Sequence, residues 1–285
     1  MNIIETQGEG FSSVDLVHQC LIDPDKAVAF EMVLKQSIKS DSSVLELGTG
    51  TGILSLLAAR AGANKIVAVE FDPFIAEVAR ENIRNNGYEN KIKVITGDAR
   101  RVVFQKEEMY DVIVMEMLCT CLIEEMQVQT INNLCSQNMI IPETIMIPSA
   151  QENYIALAQT DFMKHGFEMK MIKYLWPHQG MDYKVEQLSN TELLQRVDFS
   201  KIINEHFSIH IEFTVETPGN LNSALLSSKI LINHDGSITL GSTFSLNPMI
   251  AIPLPEKKVK KGDKVSIAID YKFGGGFQNF NISYL

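Results

Sequence analysis

Val44-Leu45-Glu46-Leu47-Gly48-Thr49-Gly50-Thr51-Gly52 runs from an apolar stretch straight into three glycines at alternating positions. The pattern predicts a buried strand, a glycine-rich turn and a helix that starts near Ile53. The next apolar run, Lys65-Ile66-Val67-Ala68-Val69, closes on an acid, Glu70. Strand, glycine turn, helix, strand and terminal acid form the arrangement that grips a nucleoside-bearing cofactor. The glycines let backbone approach the ligand, and the terminal carboxylate takes two ribose hydroxyls.

Spacing narrows the choice of cofactor. A dinucleotide fingerprint reads G-x-G-x-x-G and wants glycine or alanine at position 53. Ile53 stands there, and Gly52 comes one residue early. Glu46 adds a carboxylate two residues before the first glycine, which a pyrophosphate cannot use. A cofactor that carries an ammonium and a sulfonium can. The stretch resembles motif I of the class I S-adenosylmethionine-dependent methyltransferases, so S-adenosylmethionine is the expected cofactor. The candidate cofactor residues are Glu46, Gly48, Thr49, Gly50, Gly52, Glu70, Phe71, Asp98, Ala99 and Glu116; no metal site is expected.

Composition fits an enzyme with a full core. The chain has 285 residues, a net charge of −10 and 45% hydrophobic residues, enough for one large or two ordinary domains. The acidic balance argues against a broad nucleic-acid surface and suits a cationic substrate. No apolar run reaches membrane-spanning length. Met1 to Thr6 lack the basic and apolar regions of a signal peptide. Cys20, Cys119, Cys121 and Cys135 form no zinc spacing, and a reducing, cytoplasmic setting is expected.

The first half alternates helix and strand signals. Asp25–Lys39 and Phe74–Asn86 read as helices, Lys91–Thr96 and Tyr110–Met115 as strands, and Gln127–Cys135 as a helix. Short, wholly apolar strands belong to a parallel sheet covered on both faces. From about residue 150 the pattern changes to alternating strands: Asn153–Leu157, Ser208–Phe213, Lys229–Ile232, Lys264–Ile269 and Phe280–Tyr284. The expected fold class is therefore α/β, a Rossmann-like domain followed by a β-rich, barrel-like domain. The division is placed at residues 1–148 and 149–285, with Ile141-Pro142 to Ile147-Pro148 as the junction. Lys257-Lys258 and Lys260-Lys261 read as a solvated turn, and His178 as a surface residue near a cleft. His206 and His210 lie in strand-like sequence, which defeats a helical metal site.

Chemistry is expected at the carboxyl end of the strand closing at Met115. There the chain reads Glu116-Met117-Leu118-Cys119-Thr120-Cys121-Leu122-Ile123-Glu124-Glu125. A loop that folds back presents Glu116 and Glu125 to one ligand. A guanidinium, with five N–H donors in a rigid fork, suits two carboxylates.

This loop resembles the double-glutamate loop of the protein arginine methyltransferases, E-W-M-G-x-C-x-x-x-E, with Glu116, Cys121, Leu122 and Glu125 in register. Leu45 to Gly62 resembles that family's L-D-x-G-x-G-T-G-I-L-S-x-x-A-A-x-A-G. His18-Gln19-Cys20-Leu21-Ile22 resembles its cofactor-covering H-E-x-M-L segment. Pro148 resembles the proline that joins its two domains, and that resemblance implies a cis Ile147-Pro148 bond.

The chain also departs from the family. The family's Thr-His-Trp, beside the substrate nitrogen, falls at Ser245 to Ile250, which holds neither His nor Trp. Met117 and Cys119 replace the loop's Trp and Gly. Ala27 replaces an arginine for the cofactor carboxylate, with Lys26 beside it. Arg100 falls near the family's adenine-contacting glutamate, which leaves Asp98 as the candidate for that contact. The dimerisation arm between Trp176 and His206 is short, so a homodimer is possible but not implied. Three readings stay open: methyl transfer to protein arginine, methyl transfer to a small amine or RNA, and a cofactor-binding partner without activity.

Overall fold

The apolar runs of the first half form β1 (Ser43–Leu47), β2 (Lys65–Glu70), β3 (Ile92–Thr96) and β4 (Val112–Met115). The structure, a computed structural model, describes residues 14–105, 108–177 and 183–285. His178 lies outside the described residues, as do Met1 to Thr6. All four residues of β4 are buried, which is why its sequence shows no alternation. A fifth parallel strand, β5 (Ile145–Ile147), adds to β4. Sequence alone assigns that stretch to a junction, since three residues between two prolines carry no period. The strand order is β3-β2-β1-β4-β5, and every neighbouring pair is parallel. The order reverses between β1 and β4, which opens a crevice at their carboxyl ends.

The helices obey local rules. α1 spans Val14–Leu21 and buries none of its residues. α2 (Pro24–Ser37) starts with proline in its first turn, and the Asp23 side chain accepts from the Lys26 N–H at 3.2 Å, an ordinary N-cap. α3 (Ile53–Ala61) ends at Gly62, whose φ of 113° only glycine adopts readily. α4 (Pro73–Asn85) is capped by Asp72, and α5 (Gln127–Ser136) follows the loop after β4.

The second half is antiparallel. Ala150–Thr160, Gly219–Leu231 and Met249–Val259 centre a seven-stranded sheet, while His206–Thr214, Lys264–Lys272 and Asn281–Tyr284 form a three-stranded one. The fold is thus α/β, a Rossmann-like parallel sheet joined to a β-rich part. The bond Ile147-Pro148 between them is cis.

One strand corrects the sequence reading. Pro253 and Pro255 argue against a strand over Met249–Val259. The structure accommodates them with a register shift: Leu221 opposes Lys257 while Ser223 opposes Pro253. The extra residues bulge out of the ladder. Lys257 and Lys258 therefore lie on a strand, and only Lys260-Lys261 occupy the turn.

Candidate active site

A cavity of about 610 Å³ opens at the carboxyl ends of β1 and β4, within the size range of cofactor sites. Glu46, Gly48, Thr49, Gly50, Glu70, Phe71, Asp98, Ala99, Glu116 and Glu125 all line it. Nine of the ten expected cofactor residues and both expected acceptor glutamates are thus brought to one place.

Gly52 is the exception. It is not among the lining residues; a Cβ there would meet Ala79 and Ile83 of α4 at 3.6 Å. Its φ of 85° is the left-handed entry to α3, which favours glycine for the backbone alone, since 3.6 Å is ordinary packing distance. Gly48 is a different case. Its φ is 77°, and a Cβ would come within 2.9 Å of Met117 Cγ. Any side chain there would press into the loop that carries Glu116.

The carboxylates behave differently from one another. Glu70 Oε2 accepts from the Gly50 N–H at 2.8 Å, and Oε1 accepts from the Asp72 N–H at 3.0 Å. Burial raises its pKa against these backbone bonds. Glu46 is 2% exposed. Its Oε2 accepts from Thr49 Oγ1 at 2.8 Å and from Ser55 Oγ, while its Oε1 is buried with no partner. Burial pushes its pKa up to about 7. An orphaned carboxylate oxygen in a lined cavity suits an ammonium donor. Asp98 is taken up by Arg100, whose Nε and Nη2 donate to its two oxygens at 2.8 and 2.7 Å. Burial would raise the Asp98 pKa, but the Arg100 bonds hold it below the usual range. Arg100 in turn sits 6.0 Å from the centroid of the Phe71 ring.

At the wall built by the loop after β4, Lys26 Nζ donates to Glu116 Oε2 at 2.7 Å. Lys26 is 4% exposed; burial would lower its pKa, and the Glu116 charge overrides that and raises it. The Glu125 N–H donates to Cys119 Sγ at 3.3 Å, but its carboxylate makes no hydrogen bond or ion pair among the described residues. Burial, then the charges of Glu116 and Glu124, push its pKa up to about 7. Glu124 accepts from Tyr174 Oη at 2.7 Å. The wall therefore holds three carboxylates and one ammonium, with Glu125 unpaired.

The loop is fixed by partners far away in sequence. Cys121 and Leu122 have φ of 56° and 53°, a left-handed conformation that costs a non-glycine residue about 1 kcal/mol or more. Cys121 N–H donates to Ser228 Oγ at 2.8 Å, and its carbonyl accepts from Tyr271 Oη at 2.9 Å. Gln151 Nε2 donates to the Cys119 carbonyl at 3.0 Å. Gly274 and Gly276 N–H groups donate to the Leu122 and Ile123 carbonyls at 2.9 and 2.8 Å. Burial raises the thiol pKa of Cys119, to about 12, and that of Cys121, so neither is a nucleophile. Sequence reasoning missed these anchors, since Ser228, Gln151 and Tyr271 carry no motif. It also missed Asp23, which is buried and accepts from Ser245 N–H and Oγ at 2.9 and 2.8 Å. That contact closes α2 onto the stretch where a histidine is missing.

Residues 28–174 match the family model of the ribosomal protein L11 methyltransferases, PrmA. The chain belongs to this methyltransferase family. Over 267 residues the methyltransferase is 33% identical to the uncharacterized protein MJ1452 of Methanocaldococcus jannaschii, covering 93% of this chain and 95% of that one. It is 26% identical to protein arginine N-methyltransferase 1 of Oryza sativa subsp. indica, over 74% of this chain and 58% of the relative. Its fold is that of the protein arginine methyltransferases. The Trypanosoma brucei PRMT1 enzyme–prozyme complex superposes with a TM-score of 0.73 at 18% identity, over 90% of this chain and 87% of that one. Among the described residues no helix is long and apolar enough to cross a membrane, and no group of side chains could hold a metal ion.

Proposed function

We propose that the methyltransferase moves a methyl group from S-adenosylmethionine to a guanidinium nitrogen of protein arginine. When bound, the cofactor supplies an electrophilic methyl on a sulfonium. Residues 1–148 would hold it: Glu46 Oε1 faces an ammonium, Glu70 the ribose, and Gly48 and Gly50 keep the loop low enough for approach. The strand-end position of Asp98 and Ala99 suits the base. Residues 149–285 shape the acceptor side by fixing the double-glutamate loop.

The observation that carries the reading is Glu125. It is a secluded carboxylate with no partner among the described residues, next to a second carboxylate, in the loop that lines the cavity after β4. Binding a cation there neutralises charge that the free protein leaves uncompensated. Deprotonated Glu125 would orient the guanidinium and steady its positive charge. As the N–CH3 bond forms and the S–CH3 bond breaks, the acceptor nitrogen must shed one proton, and a carboxylate of pKa about 7 is matched to take it. Glu116 acts with Lys26 attached, so it orients through one free oxygen rather than two.

The test is the destination of labelled methyl after incubation with native protein, RNA and small-molecule fractions. Methylarginine in acid hydrolysates is the expected result. Label confined to RNA or to small amines would overturn the arginine assignment.

A further inference from the structure

We infer that Asn247 is a specificity-determining residue that hydrogen-bonds the methyl acceptor, taking an acceptor N–H at Oδ1 and giving Nδ2–H to a carbonyl of the same molecule. This rests on the reading of the cavity as a methyl-transfer site. Asn247 lines that cavity together with Glu116, Glu125, Thr120 and Pro248. It is 2% exposed, and both its Oδ1 and its Nδ2 are buried without a partner. A carboxamide with both ends unsatisfied is costly in a folded interior. The other buried amides each keep at least one partner: Gln127 is bonded at both ends, and Gln151 and Asn153 at one end each, so Asn247 is the one left with neither.

Backbone and neighbours hold Asn247 in place. Its φ is 49°, a region that asparagine tolerates better than most residues. The next carbonyl, that of Pro248, accepts from Thr120 Oγ1 at 2.6 Å. Thr120 sits between Glu116 and Glu125 in the loop. Two residues earlier, Ser245 is bound to Asp23. The segment is thus clamped on both sides, with the one unpaired side chain between the clamps.

The chemistry of the orphan states what it would recognise. A guanidinium or ammonium offers only donors and satisfies Oδ1 alone. A peptide offers donors and carbonyls, and satisfies both ends. An arginine presented within a peptide is therefore preferred over a free amine or guanidine without a carbonyl. Sites that leave a buried polar group unpaired with the wrong substrate discriminate strongly.

The experiment compares wild type with Asn247→Gly and Asn247→Asp, both compatible with a positive φ, in steady-state methyl transfer and in calorimetric binding of S-adenosylmethionine. The acceptors are an arginine-containing peptide and agmatine, which has a guanidinium and no carbonyl; if neither is labelled, the fraction that wild type does label is used. Asn247→Gly is expected to lower kcat/KM for the peptide by about 10- to 100-fold, mostly through KM, with cofactor affinity unchanged. Asn247→Asp, which keeps an oxygen and loses the donor, is expected to lower peptide turnover and narrow the preference for peptide over agmatine. Unchanged acceptor KM in both variants overturns the inference. So does an equal loss of cofactor binding, which would mark a structural residue. Label confined to RNA or amines overturns the arginine assignment alone, and the KM of that acceptor then decides the role of Asn247.

Discussion

The two walls of the cavity are built by different means. The wall with Glu46, Gly48, Gly50 and Glu70 lies within residues 44–70, and its hydrogen bonds are local: Gly50 to Glu70, Thr49 and Ser55 to Glu46, Gly48 N–H to the Val69 carbonyl at 2.9 Å. The wall with Glu116 and Glu125 is an irregular loop held from the second half of the chain. Tyr271 reaches Cys121 across 150 positions, and Ser228 reaches it across 107. The first wall follows from one strand–turn–helix–strand unit. The second exists only once the antiparallel sheets have formed. That difference separates what a mutation should do to cofactor affinity from what it should do to turnover.

The largest expected effect lies where the walls meet. Lys26→Met leaves Glu116 buried beside no cation, and should destabilise the protein by about 3–5 kcal/mol. Lys26→Met with Glu116→Gln should recover much of that loss, because neither charge is then stranded. Chemical denaturation of both variants checks this. Additive losses in the double variant would show that the pair at 2.7 Å contributes no coupling.

Next comes the acceptor wall alone. Glu125→Gln keeps shape and removes charge, so turnover should fall about 10²- to 10³-fold while S-adenosylmethionine affinity stays within about threefold. Wild-type transfer should rise with pH through about 7, as Glu125 loses its proton. The variant should lack that limb. A parallel loss of cofactor binding would erase the distinction between the walls.

Smaller effects belong to the cofactor wall. Glu70→Ala should weaken S-adenosylmethionine by about 1–3 kcal/mol through unpaired buried groups, as read by calorimetry. Glu46→Gln tests a linked stability. The folded protein keeps a proton on Glu46 up to about 7, whereas an ordinary carboxyl releases it near 4.5. Ligand-free stability therefore falls as pH rises through that window. The variant should melt above wild type at pH 8, and the gap should close by pH 5.

The smallest expected effect tests the long-range anchor. Tyr271→Phe removes the bond to the Cys121 carbonyl and the one the hydroxyl accepts from Gln195 Nε2, and should cost about 1–2 kcal/mol of stability. Turnover should drop with cofactor affinity intact. Unchanged turnover would mean that the remaining anchors, from Gln151 and Ser228, suffice to hold the loop.

Sequence by itself determined the first four strands of the parallel sheet, because parallel strands covered on both faces are largely apolar, but it showed neither β5 nor the caps at Asp23 and Asp72. It also singled out Glu46, Gly48, Gly50 and Glu70, which the fold brings to one cavity, because a backbone turn that approaches a ligand needs glycine and a strand end that needs charge shows its acid. Gly52 marks the limit of that logic: a left-handed φ is enough to favour glycine there, and sequence cannot tell that demand from a ligand's. The strand over Met249–Val259 was hidden by prolines that only a bulge in the partner register accommodates. Tertiary structure alone decided that Lys26 neutralises Glu116, that Glu125 stands unpaired and that Asn247 enters the cavity wall with both polar atoms free. Those facts depend on which distant groups fold to within 3 Å of one another. Ion pairing and desolvation act through space, and residues 90 or more positions apart leave no periodicity by which to read them.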